Sequence, residues 1–531
     1  MDDKLREEIN RRRTFAIISH PDAGKTTLTE KFLLFGGAIN TAGSVKGKAN
    51  SKYAVSDWMD IEKERGISVT SSVLQFNYDG YCINILDTPG HQDFSEDTYR
   101  TLMAADSAVM VIDASKGVEA QTIKLFKVCV MRHIPIFTFI NKMDRDARDT
   151  FELLDDIETV LGIKTCPVNW PIGSGKEFKG VYDRKTKIVS TFQAISTGGA
   201  KKAEETDYHI DDEALKKLVG PYLFDQFNEE IELIDGATEE MDIEKVRAGE
   251  LSPVFFGSAL NTFGIEQFLN YFLKMTTPPI GRNSSEGIID PVTEPFSAFV
   301  FKIQANMNKA HRDRIAFMRI CSGKFEAGME VYHAASKRKI KLSQPQQLMA
   351  QDRKIVDEAY AGDVIGVFDP DLFSIGDTLT TGGKKFEYEG IPTFAPEHFC
   401  RVVQLNSMKR KQFVKGVTQI AQEGAIQIFQ EYTAGLSEII VGVVGVLQFD
   451  VLKYRLENEY GCEIRLEPIP YNYIRWVKDP TIDVTKLKRV SDVKKVKDMK
   501  GNPLLLFANE WVIDQVLQHN EGLELEEFRK N

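Results

Sequence analysis

The segment Ser19-His20-Pro21-Asp22-Ala23-Gly24-Lys25-Thr26-Thr27 carries the residue types that bind a phosphate chain. It lies between an apolar run at 14–18 and a helix-like run at 28–34. In such a strand–loop–helix unit, backbone N–H groups and the positive end of the helix surround an anionic phosphate. Lys25 would add a charge at the terminal phosphates, and the Thr26 hydroxyl would ligate Mg²⁺. Ser19 stands where this pattern usually has glycine, and a lysine-bearing loop without a ligand is the alternative.

A second motif, Asp87-Thr88-Pro89-Gly90-His91, follows the second strand of a predicted hairpin. The hairpin pairs residues 73–78 with residues 81–86 around the turn Asp79-Gly80. An aspartate at the carboxyl end of a strand beside a phosphate loop is suited to contact Mg²⁺ through its water shell. Gly90 would let the backbone approach a terminal phosphate.

The third and fourth motifs have residues suited to selecting guanine over adenine. An apolar run at 134–140 leads into Asn141-Lys142-Met143-Asp144, and a run at 254–257 leads into Ser258-Ala259-Leu260. The Asp144 carboxylate would accept hydrogen bonds from N1–H and the 2-amino group of guanine, whereas adenine presents neither donor. The backbone amides of the last motif would meet the guanine carbonyl. By chance alone Asn-Lys-Met-Asp would be a solvated turn, but successive motifs at predicted strand ends favour a guanine-nucleotide site.

These motifs need a sheet that brings their strand ends together. Apolar runs at 108–112 and 134–140 flank a helical pattern at 120–132. Strands that alternate with helices predict a mostly parallel sheet with helices on both faces and ligands at the carboxyl ends of the strands. The fold class is therefore predicted to be α/β, with a phosphate-loop nucleotide-binding domain first.

The length of 531 residues predicts about three domains, at about 150 residues each. The first would span residues 1–280, with an insertion around 165–250 that combines short strands and acidic helices. A small antiparallel β-barrel would follow at 290–390. Residues 397–531 would form a C-terminal α/β sandwich, with strands at 399–404, 438–443 and 463–467 and helices at 411–429 and 446–459.

Composition limits the class of protein. A hydrophobic fraction of 42% and a charged fraction of 27% are typical of soluble globular chains. The net charge of −11 argues against a protein that coats nucleic acid by bulk charge, and no DNA partner is expected. The 6 cysteines form no Cys-x-x-Cys pair, which favours a reducing compartment and no zinc site. Because the N-terminus lacks the apolar core of a signal peptide and no run of about eighteen apolar residues follows, the expected location is cytoplasmic, without a membrane partner.

Basic residues concentrate in the C-terminal region of this acidic chain. They predict either a local RNA-facing surface or a merely solvated face. The acidic insertion leaves a similar choice between a solvated face and contact with a basic partner. The basic residues are Lys409, Arg410, Lys411, Lys486, Lys488, Arg489, Lys494, Lys495, Lys497 and Lys500.

The motifs, together with a switch segment Arg65-Gly66-Ile67-Ser68, resemble the nucleotide-binding domain of translational GTPases, the superfamily of elongation factors G and Tu. The resemblance implies that His91 positions the attacking water; a loop histidine that caps a helix is the alternative. It also implies that Ser68 ligates Mg²⁺ where the family usually has threonine, with Thr70 as a competitor.

The predicted site therefore has three groups of residues. The catalytic group is His91, Lys25 and Gly90, and the metal group is Thr26, Ser68 and Asp87. The nucleotide-binding group is Asp22, Ala23, Gly24, Lys25, Thr26, Thr27, Asp87, Thr88, Pro89, Gly90, His91, Asn141, Lys142, Asp144, Ser258, Ala259 and Leu260.

The resemblance extends over nearly the whole chain. Elongation factor G has further C-terminal domains for which this chain has no room, and elongation factor Tu has a second barrel where this chain has an α/β region. The phosphate loop, Trp58-Met59-Asp60 and the three-domain length resemble the termination branch of the family. That branch implies a ribosome-stimulated hydrolase of GTP to GDP and phosphate. Its implied partners are the ribosome and the stop-codon-reading (class I) release factors, which it helps to dissociate after peptide release.

The mechanism expected from these residues is attack of water on the γ-phosphoryl group, with Lys25 and the loop amides neutralising the developing charge. No arginine within the chain is assigned to this task, because Arg65 belongs to a predicted mobile switch. Slow hydrolysis that RNA or a partner accelerates is therefore expected. The alternatives are a non-hydrolysing guanine-nucleotide sensor, an elongation-type ribosomal GTPase, and an ATP-using phosphotransferase, which Asp144 disfavours.

Overall fold

The computed structural model describes residues 3–39, 62, 68–193, 204–305, 314–342, 345–349, 352–391, 393–432, 435–488 and 492–527. In its first part the strands are β1 Arg12–Ser19, β2 Ser72–Tyr78, β3 Tyr81–Asp87, β4 Ser107–Asp113, β5 Ile136–Asn141, β6 Lys164–Pro167, β7 Asn169–Ile172, β8 Gly180–Asp183, β9 Ile188–Gln193, β10 Glu204–His209 and β11 Leu251–Phe256. The helices of the same part are α1 Asp3–Asn10, α2 Lys25–Phe35, α3 Ser95–Leu102, α4 Ala120–Met131, α5 Thr150–Leu161, α6 Glu213–Val219, α7 Pro221–Ala237, α8 Ile243–Ala248 and α9 Ile265–Met275.

The main sheet of this part has the order β2-β3-β1-β4-β5-β11-β6. The hairpin β2–β3 is antiparallel and every other neighbouring pair is parallel. Alternate residues of the central strands enter two cores: Ile136 and Ile140 pack with α4 and α5, and Phe137 and Phe139 pack with α2 and α9. Both faces are therefore buried, which explains the continuous apolar runs of the strands.

The insertion adds a four-stranded antiparallel sheet with the order β10-β9-β8-β7, together with α6 and α7. Trp170 and Phe227 belong to the same core as α4 and α5, and the Trp170 indole N–H donates to Glu230 at 2.7 Å. The insertion thus packs on the main sheet and shares its core.

The middle part of the chain is antiparallel. Its strands are β12 Arg282–Ser284, β13 Gly287–Ile289, β14 Ser297–Ala305, β15 Arg314–Ser322, β16 Lys324–Glu326, β17 Glu330–His333, β18 Arg338–Lys341, β19 Gln346–Met349, β20 Asp352–Ile355, β21 Glu358–Tyr360, β22 Val364–Phe368 and β23 Thr378–Thr380. Eight of them have the order β18-β17-β23-β14-β15-β22-β19-β20, and β16 pairs with β21 around the same core. Ile9 of α1 also packs in that core.

The C-terminal part consists of β24 His398–Gln404, α10 Arg410–Gln422, β25 Gln427–Glu431, β26 Gly435–Val443, α11 Leu447–Asn458, β27 Ile464–Pro468, β28 Tyr473–Val477, β29 Val493–Lys497, β30 Pro503–Phe507, α12 Glu510–His519 and β31 Leu525–Glu526. Its strands form an antiparallel sheet with the order β27-β24-β26-β25-β29-β30-β28-β31. The core that this sheet forms with α10 and α11 is separate from the core that it forms with α12.

The single helix predicted over 411–429 is wrong. Helix α10 ends at Gln422, and Gly424 adopts a left-handed conformation with φ of 76°. A left-handed glycine ends a helix because it turns the chain away from the helix axis. Beyond it, the neighbours Ile428 and Phe429 enter two different cores, as the alternation of β25 requires. The pairing of β25 with the following strand β26 and with the distant strand β29 decides this conformation.

Two buried carboxylates join the first and middle parts. Asp363 is fully buried and accepts hydrogen bonds from Arg12 at 2.7 Å, Gln75 at 3.1 Å and Asn84 at 3.3 Å. Asp106 pairs with Arg319, and both side chains are buried. None of the described helices combines the length and the apolar character needed to span a bilayer.

We expect Asp363→Ala to lower the free energy of unfolding by about 3–5 kcal/mol, because it breaks the buried ion pair with Arg12 and removes an acceptor that the side chains of Gln75 and Asn84 share. Urea denaturation followed by tryptophan fluorescence measures this change. The control is Glu244→Ala, which removes an exposed partner of Arg247 and should leave the midpoint unchanged. Equal midpoints for Asp363→Ala and the unaltered chain would contradict the structural role of the carboxylate.

Candidate nucleotide-binding and catalytic site

A cavity of about 690 Å³ lies at the carboxyl edge of the main sheet. This volume is in the range of small-ligand sites, about 300–1,000 Å³. The cavity brings together residues from six separate segments of the chain. It is lined by Ser19, His20, Pro21, Asp22, Gly24, Lys25, Thr26, Thr27, Ser68, Gly90, His91, Asp113, Ser115, Lys116, Asn141, Lys142, Asp144, Arg145 and Leu260.

The phosphate loop requires glycine at position 24. Gly24 has φ of 104°, and a Cβ atom there would lie 2.2 Å from Nδ2 of Asn141. Helix α2 begins directly afterwards at Lys25, so its first N–H groups lie at the cavity. Lys25 Nζ donates to Oδ1 of Asp87 at 2.6 Å, and both side chains are buried. The loop thus offers backbone donors and a cation, which is the chemistry that binds phosphate.

Asn141 connects the phosphate loop to the base-binding end of the cavity. Its Nδ2 donates to the carbonyl oxygen of Ala23 at 2.8 Å, and its Oδ1 accepts from the backbone N–H of Ala259 at 2.8 Å. Ala259 and Ser258 are fully buried behind the cavity. Asn141 therefore fixes the loop that contains Ala23 relative to the loop that contains Ala259.

Among the described residues, one carboxylate oxygen of Asp144 has a hydrogen-bond donor and the other has none. Its Oδ2 accepts from Nδ2 of Asn261 at 3.0 Å. Its Oδ1 is buried without a hydrogen-bond partner among the described residues. Because a buried acceptor without a donor is unfavourable, this oxygen needs a ligand donor, and the N1–H and 2-amino group of guanine fit it.

Lys142 and Asp113 form the wall between the two ends of the cavity. Lys142 Nζ donates to Oδ2 of Asp113 and to the carbonyl oxygen of Asp22, each at 2.6 Å. Burial raises the pKa of Asp113, but hydrogen bonds from Lys142 and Ser115 outweigh burial and hold that pKa below its ordinary value. Asp113 is therefore charged at neutral pH and holds Lys142 against the phosphate loop.

His91 lies opposite the phosphate loop, where a Cβ atom added to Gly90 would be 3.5 Å from Cα of Pro21. Its Nδ1 accepts from the backbone N–H of Asp93 at 3.2 Å and caps the short turn Gln92–Phe94. The helix-capping alternative is thus present, and it engages only one of the two ring nitrogens. Nε2 has no hydrogen bond to a described residue and is available to a water molecule.

Ser68 and Thr70 differ in position. Ser68 lines the nucleotide cavity, whereas Thr70 lines a separate cavity of about 50 Å³ between the three parts of the chain. The Thr70 hydroxyl donates to Oε1 of Glu62 at 3.3 Å. The switch residues Arg65, Gly66 and Ile67 lie outside the described residues, as do Trp58, Met59 and Asp60.

The predicted metal group fits Mg²⁺ by its chemistry, since two hydroxyls and a carboxylate are hard oxygen donors. Thr26 and Ser68 line the cavity. Asp87 lies behind it, where its carboxylate accepts a hydrogen bond from Lys25. Among the described residues no group of three or more His, Cys, Asp or Glu side chains could hold a metal ion. A Mg²⁺ ion there would depend on nucleotide phosphates for further ligands, as Mg²⁺ commonly does.

Several predicted residues lie behind the cavity and do not line it: Ala23, Asp87, Thr88, Pro89, Ser258 and Ala259. Thr88 is buried and its hydroxyl donates to the carbonyl oxygen of Ile17 at 2.7 Å, which fastens the end of β3 to β1.

Sequence reasoning missed Asp113 and Asn261. The position of Asp113 at the carboxyl end of a predicted strand was a usable signal, whereas Asn261 carried none.

The basic residues of the C-terminal part lie on separate elements. Lys409 donates to the carbonyl oxygen of Gly461, and Arg410 and Lys411 begin α10. Lys494 pairs with Glu431 at 3.1 Å, and Lys495 donates to Thr485 at 3.1 Å. Arg489 lies outside the described residues. An RNA-facing surface built from these residues stays a prediction.

Comparison with known families matches the three parts of the chain separately. Residues 10–278 match the elongation factor Tu GTP binding domain, and residues 295–382 match elongation factor G domain 2. Residues 388–517 match the C-terminal domain of class II release factor RF3. A protein of Thermus thermophilus with a solved crystal structure shares the fold, with a TM-score of 0.69 at 22% identity over 92% of this chain and 72% of that one.

Relatives of similar length are much closer in sequence. The peptide chain release factor 3 of Symbiobacterium thermophilum is 57% identical over 521 residues, which is 98% of both chains. That of Gloeothece citriformis is 52% identical over 522 residues, 98% of this chain and 96% of the relative. With the cavity and its motifs on a GTP-binding domain, these matches show that the chain is a GTP hydrolase and belongs to the peptide chain release factor 3 family.

Proposed function

We propose that this GTPase acts in translation termination, where the ribosome stimulates it and its GTP cycle promotes dissociation of class I release factors after peptide release. The observation that carries the proposal is the cavity that joins Lys25, His91 and Asp144 in a chain of the release factor 3 family. A sensor that does not hydrolyse GTP would have no need of His91 beside the phosphate loop.

In the proposed mechanism, the Asp144 carboxylate binds the guanine edge, and the loop amides with Lys25 neutralise charge on the phosphates. His91 uses Nε2 to orient water toward the γ-phosphoryl group, because Asp93 N–H occupies Nδ1. Binding GTP requires Lys25 to exchange part of its contact with Asp87 for phosphate oxygens. Arg65 is assigned no role, so a stimulating partner supplies the remaining stabilisation.

Thr26 and Ser68 would hold Mg²⁺, with Asp87 behind its water shell. The ion would neutralise phosphate charge and orient the phosphate chain when bound. The location of Ser68 at the nucleotide cavity supports it over Thr70.

We also propose domain limits of 1–280, 290–390 and 397–531, with the insertion around 165–250. The separate sheets and the separately matched segments support this division.

The first test measures phosphate release under multiple turnover with and without purified ribosomes. We expect strong stimulation of the unaltered chain, and we expect His91→Ala to lower the stimulated kcat by about 10²–10⁴ with little change in KM, since His91 acts on water and not on nucleotide binding. The matched control is His209→Ala, because His209 is an exposed histidine of the insertion.

Equal rates with and without ribosomes would contradict ribosome stimulation, and normal turnover by His91→Ala would remove His91 from the mechanism. The same proteins are then added to ribosomes that carry a fluorescent class I release factor. GTP-dependent loss of the bound factor with the unaltered chain, but not with His91→Ala, supports the termination role. Promotion of translocation without release-factor loss would favour an elongation-type GTPase.

We expect Asp144→Asn to weaken GTP binding by about 10²–10⁴, because it replaces two charge-assisted hydrogen bonds to guanine by a mismatched amide. Displacement of a fluorescent GTP analogue measures the affinity. The control Asp146→Asn changes an exposed carboxylate two residues away. Displacement of GTP by ATP from the unaltered chain would refute guanine selection.

Ser68→Ala and Thr70→Ala form a matched pair for the metal group. We expect Ser68→Ala to raise the Mg²⁺ concentration that gives half-maximal GTP hydrolysis, because it removes a hydroxyl ligand, and Thr70→Ala to leave it unchanged. A Mg²⁺ titration of the stimulated rate distinguishes them. The opposite pattern would assign the metal to Thr70.

A further inference from the structure

The segment that follows His91 contacts two helix ends of the C-terminal part. Oδ2 of Asp93 accepts from the backbone N–H of Leu447 at 2.8 Å, at the start of α11. Arg100 donates through Nη2 to the carbonyl oxygen of Gly424 at 3.0 Å, just beyond the end of α10. A carboxylate at a helix N-terminus and a guanidinium at a helix C-terminus both have the sign that the helix dipole favours.

Within the described residues, helix α11 has no side-chain cap of its own. Its N-cap residue is the apolar Val446, and the nearby Gln448 side chain accepts from the N–H groups of Val444 and Gly445 at 2.9 and 3.0 Å. Asp93, which is only 6% exposed, provides the acceptor for Leu447 from another part of the chain. The first turn of α11 therefore depends on the GTPase domain for one of its hydrogen bonds.

The contact is too close to admit a side chain at position 445. A Cβ atom added to Gly445 would lie 2.4 Å from Cα of Asp93 and 2.2 Å from its Cγ. Val69, Phe94 and Val451 form a small shared core beside this contact. The C-terminal part is thus packed directly against Asp93 and Phe94, which follow His91 in the chain.

The same aspartate also contacts the proposed catalytic histidine. The backbone N–H of Asp93 donates to Nδ1 of His91 at 3.2 Å, and Oδ1 of Asp93 lies 3.3 Å from the same nitrogen. Because an Nδ1 that accepts this N–H carries no proton to give to Oδ1, it is the main chain of Asp93 that holds His91, while its carboxylate holds α11. When α11 undocks, the carboxylate loses its donor and moves toward another, which shifts the backbone N–H that holds His91.

We propose that Asp93 is a positioning residue for GTP hydrolysis, which holds His91 in its working orientation only while α11 of the C-terminal part is docked. The proposal rests on the proposed role of His91. According to this proposal, the position of the C-terminal part determines whether His91 can orient the attacking water. A displacement of about 1 Å in such a group costs about 10²-fold in rate, so a modest domain movement suffices.

The test compares Asp93→Ala, Asp93→Asn, Gly445→Ala and the double variant Asp93→Ala/Gly445→Ala. Gly445→Ala disturbs the contact from the side of the C-terminal part and changes no residue of the cavity. The matched control is Gly236→Ala, because a Cβ atom at Gly236 meets nothing within 4 Å. Readouts are kcat and KM of ribosome-stimulated GTP hydrolysis and amide hydrogen exchange of a peptide that contains Leu447.

We expect Asp93→Ala to lower kcat by about tenfold or more and to leave KM within about twofold, because it misplaces His91 and not the nucleotide. Gly445→Ala should lower kcat in the same way, and the double variant should be no slower than Asp93→Ala, as expected for two changes in one contact. Both single variants should speed exchange at Leu447. Asp93→Asn keeps an acceptor for the Leu447 N–H, so it should keep more of the exchange protection and of kcat than Asp93→Ala.

Any of four results would overturn the proposal. They are unchanged exchange at Leu447 in Asp93→Ala, a normal kcat in Gly445→Ala with faster exchange, rate losses that multiply in the double variant, and a rise in KM alone. If the unaltered chain shows no stimulation by ribosomes, the proposed function fails. Single-turnover hydrolysis without ribosomes, together with the exchange data, then decides the role of Asp93 separately.

Discussion

The carboxamide of Asn141 is the interaction on which the nucleotide site depends. It donates to Ala23 in the phosphate loop and accepts from Ala259 and Lys142 at the base-binding end, each at 2.8 Å. The side chain is buried, so each lost bond would leave a polar group without water. Gly24 completes the contact, because any side chain there would collide with the Asn141 amide. Asn141 therefore fixes the distance between the segment at Ala23 and the segment at Ala259, at the two ends of the cavity.

Buried charges join this domain to the rest of the chain. Asp363 and Asp106 meet Arg12 and Arg319 at the contact with the middle part, and Asp93 meets the backbone of α11. A buried carboxylate that loses its partner is unfavourable. The parts of the chain are therefore restricted to arrangements in which each of these carboxylates has a donor. The contact at Asp93 is the one that adjoins the proposed catalytic histidine.

Local patterns predicted the nucleotide-binding domain well because its signals are short and lie next to one another. Strands buried on both faces have continuous apolar runs, and each functional motif directly follows such a run. The C-terminal part was predicted less well. The helix expected over 411–429 stops at Gln422, and strands β28 to β31 were not predicted. The pairing of β25 with β26 and β29, and of β28 with β30 and β31, decides these conformations.

The amino-acid sequence by itself determined which chemical groups gather at the carboxyl edge of the main sheet, since the phosphate loop, His91 and Asp144 each follow a strand that ends there. Only the tertiary structure decided how those groups are held. The contacts of Asn141 with Ala23, Asp144 with Asn261 and Asp93 with Leu447 join residues 118, 117 and 354 positions apart. Such contacts form when separate elements pack, and no local pattern of residues encodes them.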